Sequence, residues 1–222
     1  MSSSWPAGPQ RPPSPSDEVH VWRVKFDGPS TPPAELLPAD ERERSLRMRR
    51  PGSAARWAGS RWALRTLLSR YLDEDPTAIA LAPGEHGKPA LAEAPERLSF
   101  NLSHSGALAL VAVTIGPEVG VDVEAIDPAR DLAALAGRAL DPDAAAAVRA
   151  APPARRARVF YEAWVRREAL VKCVGTGLWA ASTAPPPVDV SLLELGPGHA
   201  AALAVASAEP LARRCFSLGD PD

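Results

Sequence analysis

The chain has 222 residues, 45% of them hydrophobic, and its 25 basic and 27 acidic side chains leave a net charge of −2. That balance excludes a global nucleic-acid or anionic-membrane binder, so any anion site must be local. Cys173 and Cys215, the two cysteines, give neither a disulfide framework nor a metal-ligand spacing and suit a reducing compartment. No apolar run approaches membrane-spanning length and no secretory signal opens the chain, so the expectation is a cytoplasmic enzyme or binding protein.

Residues 1–17 are rich in Ser and Pro and are expected to be a disordered tail. VHVWRVKF, Val19 to Phe26, alternates as a half-buried strand with His20, Trp22, Val24 and Phe26 on one side. A Pro-rich loop leads to ADERERSLRMRR, Ala39 to Arg50, which reads as an exposed helix with a basic side and Asp40 at its N-cap, ended by Pro51 and Gly52. A second helix over Ala55 to Leu72 turns Trp57, Leu64, Leu68 and Tyr71 toward the core, with Arg56 and Arg61 near that stripe. A short strand at Ile79 to Ala82 precedes PGEHGKPAL, where Gly87 permits close backbone approach, Pro89 stiffens the exit and Lys88 is offered to an anion. LSFNLSHSG and ALALVAVTI follow as two strands joined by a tight Ser-His-Ser-Gly turn, with Ser103, His104 and Ser105 placed to bond an anion.

After Gly116-Pro117 the pattern restarts: a strand at Val119 to Glu124, a helix near Arg130 to Ala139, another opened by Asp141-Pro142, and a long helix that follows Pro152 and Pro153 and includes Phe160 to Val174. Strands at Val188 to Leu195, Ala200 to Ala206 and Arg213 to Leu218 complete the chain. The expected fold is therefore α+β, a pseudo-symmetric tandem of two similar α+β halves, 18–117 and 118–222, with the natural cleft at their seam.

Two stretches carry the chemistry. GVDVE holds Asp122 and Glu124 at i and i+2 of an apolar strand, on one side, which demands a cation or partner to offset their charge. In FYEAWVRREALVK, Glu168 and Lys172 lie four residues apart on one helix face behind Phe160 and Trp164. Each acid taken alone reads as structural; together the three suit a hard divalent cation such as Mg²⁺ better than zinc, since all the donors are oxygens. With Arg44, Lys88, His104 and Lys172 alongside, the inventory is a cation site flanked by anion binders, which suits a ligand with several phosphates. A Ser-His-Asp hydrolase fits poorly, because Ser103 and His104 are neighbours in sequence and triad members converge through the fold.

In order and content, GKP at 87–89, FNLSHS at 100–105, GVDVE at 120–124 and WVRREALVK at 164–172 followed by GTGL resemble the 4′-phosphopantetheinyl transferases of the surfactin-synthetase-activator (Sfp) type, over roughly residues 35–208. The resemblance implies a two-lobed fold with coenzyme A and Mg²⁺, or Mn²⁺, in the cleft. It implies transfer of phosphopantetheine from coenzyme A to a serine of an apo acyl or peptidyl carrier protein, releasing 3′,5′-ADP, by a monomer. It assigns Asp122, Glu124 and Glu168 to the metal, Glu168 also to the base, directly or through a water, and Lys172 to the pyrophosphate. Ser103 and His104 go to phosphate, Lys88 to the nucleotide end, and Arg44 with Arg56 to the 3′-phosphate. Arg167 stands where the family commonly has Lys, and residues 83–86 supply no Lys or Arg ahead of Lys88. The segment Ala125 to Leu140 would face the carrier through Leu132, Leu135 and Leu140, positions that equally suit plain core. Two other classes share these motifs: a catalytically silent coenzyme A or carrier binder, and a metal-dependent coenzyme A pyrophosphatase.

Overall fold

The computed structural model describes residues 5–25, 37–49, 52–83, 88–92, 97–175 and 187–219. Phe26, Arg50, Pro51, residues 84–87 and Gly177 with the end of GTGL lie outside them. The described residues form nine strands and five helices in two main layers of sheet, each backed by helix.

The first sheet has the order β4-β5-β1-β9. Its centre, β1 (Glu18–Lys25), runs antiparallel to β5 (Leu108–Ile115), His20 facing Val113, and parallel to β9 (Ala212–Leu218), Val21 facing Cys215. A strand covered on one face was expected, yet β1 is buried on both. Trp22 and Val24 pack with Val111 under Leu64 and Leu68 of α2 (Ser53–Leu72), while Val19 and Val21 pack with Leu110 against the second sheet. Val19, Val21 and Trp22 retain no measurable exposure, so the residues on both sides of the pleat carry hydrophobic stabilisation. β4 (Leu98–Ser105) forms the outer edge, paired antiparallel with β5. The expected tight turn is therefore shorter than its motif: Ser103, His104 and Ser105 belong to the strand, and Gly106, at φ +60°, makes the reversal.

The second sheet has the order β6-β8-β7, with β6 (Val119–Ala125), β8 (His199–Val205) and β7 (Asp189–Leu193) all antiparallel. Its outer face is covered by α3 (Leu132–Ala139), α4 (Pro142–Ala150) and α5 (Pro153–Val174), through Leu132, Val148, Val165 and Ala169 on Ala202 and Ala204. Asp131 and Asp141 cap α3 and α4 by accepting from Ala134 and Ala144 backbone N–H groups at 3.1 and 2.9 Å. A small ribbon, β2 (Leu81–Pro83) with β3 (Pro89–Leu91), completes the first half.

Two expectations change. Within the expected tandem of two α+β halves, the last strand of the chain does not stay with its own half: β9 joins the sheet of the first. Nor are residues 5–17 a free tail. Trp5, 3% exposed, is buried between the sheets, and its indole donates to the Glu194 carbonyl at 3.3 Å. Gly8 N–H donates to Ser217 O and Ser217 N–H to Pro6 O, so the segment extends the sheet beside β9. At Gly8 a Cβ would stand 2.0 Å from the Trp22 ring, which only glycine avoids. Low average hydrophobicity hid one large aromatic that gives the segment something to bury.

Candidate active site

Gly120 determines how closely α5 approaches β6. A Cβ there would lie 2.1 Å from the Ala169 carbonyl and 2.5 Å from the Cys173 nitrogen, both backbone atoms. Asp122 and Glu124 follow Gly120 on the same side of the pleat, so the close approach brings Glu168 and Lys172 of α5 onto them. Lys172 Nζ donates to Asp122 Oδ1 at 2.6 Å, to Ser103 Oγ at 3.0 Å and to the Val121 carbonyl at 3.3 Å. The i to i+4 partner read from the helix alone was Glu168; the lysine's ion partner is instead the strand carboxylate.

Asp122 is 4% exposed. Its Oδ1 also accepts from Ser103 Oγ at 2.8 Å, while its Oδ2 is buried without a hydrogen-bond partner, as is Oε1 of Glu168. Arg167 stands 3.6 Å from that Glu168 oxygen, too long for a hydrogen bond. Burial lifts the Glu168 carboxyl above its ordinary value, the charges of Asp122 and Glu124 push the same way, and Lys172 and Arg167 oppose them. Burial likewise raises Glu124, with Asp122 adding to it, against hydrogen bonds from Ser105 and Trp164. The three acids thus sense one another. Among the described residues, however, no group of three or more His, Cys, Asp or Glu side chains is arranged to hold a metal ion. In this conformation Lys172 takes one oxygen of Asp122. Donor type and the two orphaned oxygens nonetheless fit a divalent cation, because a buried carboxylate oxygen left without donor or cation is costly.

Beside these groups lies a cavity of about 280 Å³ lined in part by Arg44, Trp57, Arg61, Ser103, His104 and Lys172. Arg44 comes from α1 (Ala39–Leu46), whose first turn contains Asp40; Pro38 occupies the cap position that was expected for Asp40, without a side-chain bond. Arg44 and Arg61 flank the Trp57 ring, 5.6 and 5.8 Å from its centroid. His104 projects from β4 on the exposed side; loss of water, with the charges of Lys172 and Arg56, keeps its pKa below the ordinary value. Arg56 is exposed on α2 and reaches this region through that charge. Lys88 is placed elsewhere. Its Nζ donates to Glu118 Oε2 at 2.9 Å and to the Val119 carbonyl at 3.2 Å, and it lines a separate cavity of about 370 Å³. Of the three leucines expected near a partner, Leu132 is core and Leu135 and Leu140 pack against it.

Sequence reasoning missed Trp57 as a binding-site wall and the roles of Arg61 and Trp164, and it assigned Ser105 to a bound anion rather than to a carboxylate of the chain. Ser105 Oγ donates to Glu124 Oε2 at 2.8 Å. The motif spelling FNLSHS contained that signal, since a strand puts residues 101, 103 and 105 on one side.

A two-lobed α+β fold with acids and a lysine at the seam, beside a cavity lined by cationic side chains, is the kind of site that suits anionic, phosphate-like ligands. Known proteins narrow this. The family model "4'-phosphopantetheinyl transferase, N-terminal" matches residues 31–116, and that of the 4'-phosphopantetheinyl transferase superfamily matches residues 118–209. The chain is 36% identical over 168 residues to the 4'-phosphopantetheinyl transferase HetI of Nostoc sp., covering 73% of this chain and 71% of the relative. It is 36% identical over 161 residues to AcpT of Escherichia coli (72% and 76% covered) and 30% identical over 165 residues to a 4'-phosphopantetheinyl transferase of Bacillus subtilis (72% of each). The chain belongs to the 4′-phosphopantetheinyl transferase family and is a transferase enzyme. Among the described residues no helix is long and apolar enough to cross a membrane.

Proposed function

We propose that this chain moves 4′-phosphopantetheine from coenzyme A to a serine hydroxyl of an apo acyl or peptidyl carrier protein, releasing 3′,5′-ADP. The observation that carries the reading is the pair of buried, unpartnered carboxylate oxygens, Asp122 Oδ2 and Glu168 Oε1, beside Lys172 and a cationic cavity. Asp122, Glu124 and Glu168 would hold a divalent cation, Mg²⁺ in the first instance, which when bound neutralises the charge of the pyrophosphate.

Residues of the chain supply the rest. Arg44 and His104, with Arg56 nearby, bind the phosphates of the nucleotide end, and Ser103 orders Asp122 and Lys172 while lining the same cavity. Lys172 has a flexible stem, so its ammonium can leave Asp122 for the pyrophosphate and stabilise the departing 3′,5′-ADP. Glu168 is the general base: it takes the proton as the serine oxygen attacks phosphorus and the pyrophosphate P–O bond breaks, so that the 3′,5′-ADP departs. Lys88 serves the nucleotide only if it exchanges Glu118 for phosphate. The halves divide near residue 117, and the two tandem matches on one chain support the surfactin-synthetase-activator subtype, a cytoplasmic monomer whose own lobes make the cleft.

Incubation with coenzyme A, Mg²⁺ and a panel of apo carrier proteins, read by intact mass, should add one phosphopantetheine to at least one carrier. No gain on any carrier opposes the reading; free 4′-phosphopantetheine without a carrier would select a pyrophosphatase instead.

A further inference from the structure

Strand β6 pairs with β8 along one edge only. Along the other, its N–H groups at Val121 and Val123 belong to residues with 0% and 1% exposure, and a buried N–H without an acceptor is costly. Among the described residues no strand supplies acceptors there; side chains of β4 do. Val121 N–H donates to Asn101 Oδ1 at 2.9 Å, Val123 N–H to Ser103 Oγ at 3.3 Å and Ala125 N–H to Ser105 Oγ at 3.0 Å, at a constant offset of 20 residues. The carbonyls of the same edge are met by lysines, Val119 O by Lys88 and Val121 O by Lys172. This zipper joins the two sheets across the seam without a shared backbone ladder.

A hydroxyl that accepts can also donate. Ser103 Oγ donates to Asp122 Oδ1 and Ser105 Oγ donates to Glu124 Oε2, each at 2.8 Å. Each of these acids therefore has one oxygen tied to β4, which fixes the direction of the other. We propose that Ser105 is a positioning residue that orients Glu124 for the divalent cation, coupling the packing of the seam to the geometry of the site. The inference rests on the cation reading above. Ser105 is the informative position, because Ser103 also takes the Lys172 ammonium at 3.0 Å and its loss disturbs several groups together.

The test is Mn²⁺ binding by paramagnetic-resonance titration with coenzyme A present, alongside melting temperature. Ser105→Ala should weaken Mn²⁺ binding about 10- to 100-fold, as loss of an outer-shell hydrogen bond typically does, and Ser105→Thr should restore most of it. Asn101→Ala breaks the zipper at a site that touches no carboxylate; it should lower the melting temperature and keep Mn²⁺ affinity within about twofold of the unmutated protein. If Ser105→Ala is not recovered folded, Ser105→Cys, of similar size with a weak donor, should show the same loss of affinity. Ser105 variants that bind Mn²⁺ like the unmutated chain, or an Asn101→Ala loss of affinity equal to theirs, would overturn this proposal alone. An unmutated chain that binds no Mn²⁺ would overturn the cation reading with it.

Discussion

Replacing Glu41 by alanine should loosen α1 from α2 and, with it, Arg44 from the cavity wall. The buried residues of α1 are Glu41 and Ser45, so the helix is held by charge rather than by apolar packing. Glu41 accepts from Arg61 Nε at 2.9 Å and Arg65 Nε at 2.9 Å, while Arg65 also donates to the Pro76 and Ile79 carbonyls at 3.0 and 2.7 Å. Side-chain exposure is 6% for Glu41 and 4% for Arg65, so water cannot replace the lost partner. Breaking such a pair from one side costs about 3–5 kcal/mol. At about 2–4 °C per kcal/mol for a chain of this size, the melting temperature should fall by about 6–20 °C. Arg44, no longer pre-ordered, should lose about 0.5–1.5 kcal/mol of binding, a rise in KM for coenzyme A of about 2- to 10-fold with kcat little changed. Thermal melts and initial rates against coenzyme A check both. Adding Arg65→Met should recover part of the melting temperature, since it removes the more deeply buried of the two stranded guanidinium groups, Arg65 at 4% exposure against 12% for Arg61. A single-mutant shift below about 2 °C, or a double mutant no better than the single, would refute the charge-anchor account.

Gly120→Ala should push α5 off β6, lowering stability by about 1–3 kcal/mol or more and abolishing transfer; denaturant unfolding with an activity assay checks it, and a near-normal rate would contradict the placement. Glu168→Gln should keep the fold and reduce transfer about 10²- to 10⁴-fold at saturating coenzyme A, whereas an unchanged rate would exclude it as base. Burial of His20, which lies between Glu18 and Tyr71 at 2.8 and 2.7 Å, holds its pKa below 6.5. The unfolded chain therefore takes a proton there first, so the His20 contribution is complete above about pH 6.5 and lost as pH falls below it. Melting temperatures from pH 8 to 5 should decline less steeply in His20→Gln than in the unmutated chain, and equal slopes would remove His20 from the account. Trp5→Ala should destabilise by about 3–5 kcal/mol in urea unfolding, and a cost under about 1 kcal/mol would mean that residues 5–17 contribute little to stability.

What could be read beforehand was local. Periodicity located the strand from Val19 and the helices ending at Leu72 and Val174 within a few residues, because a face that must be buried repeats at a fixed interval. The pairing of Asp122 with Lys172, the insertion of Trp5 and the capture of Glu41 by Arg61 and Arg65 were not visible. Each joins residues that are 20 or more apart through contacts that no periodicity encodes. α1 shows the limit most plainly: a pattern rule assigns Glu41 to solvent on charge, yet two arginines one turn apart on α2 make the interior its better place.

The same physics explains how an acidic strand can run through the core. β6 carries Asp122 between Val121 and Val123, both buried, and a lone carboxylate charge there would carry a high desolvation cost. Lys172 supplies the opposing charge at 2.6 Å, Ser103 the hydrogen bond, and Gly120 the clearance that lets α5 deliver Lys172. None of the three suffices alone: without the glycine the helix stands off, without the lysine the buried carboxylate has no opposing charge, and without the serine Val123 N–H loses its acceptor. A site assembled in this way ties folding to function, since the contacts that let the strand fold are the ones a phosphate-bearing ligand and its cation would take over.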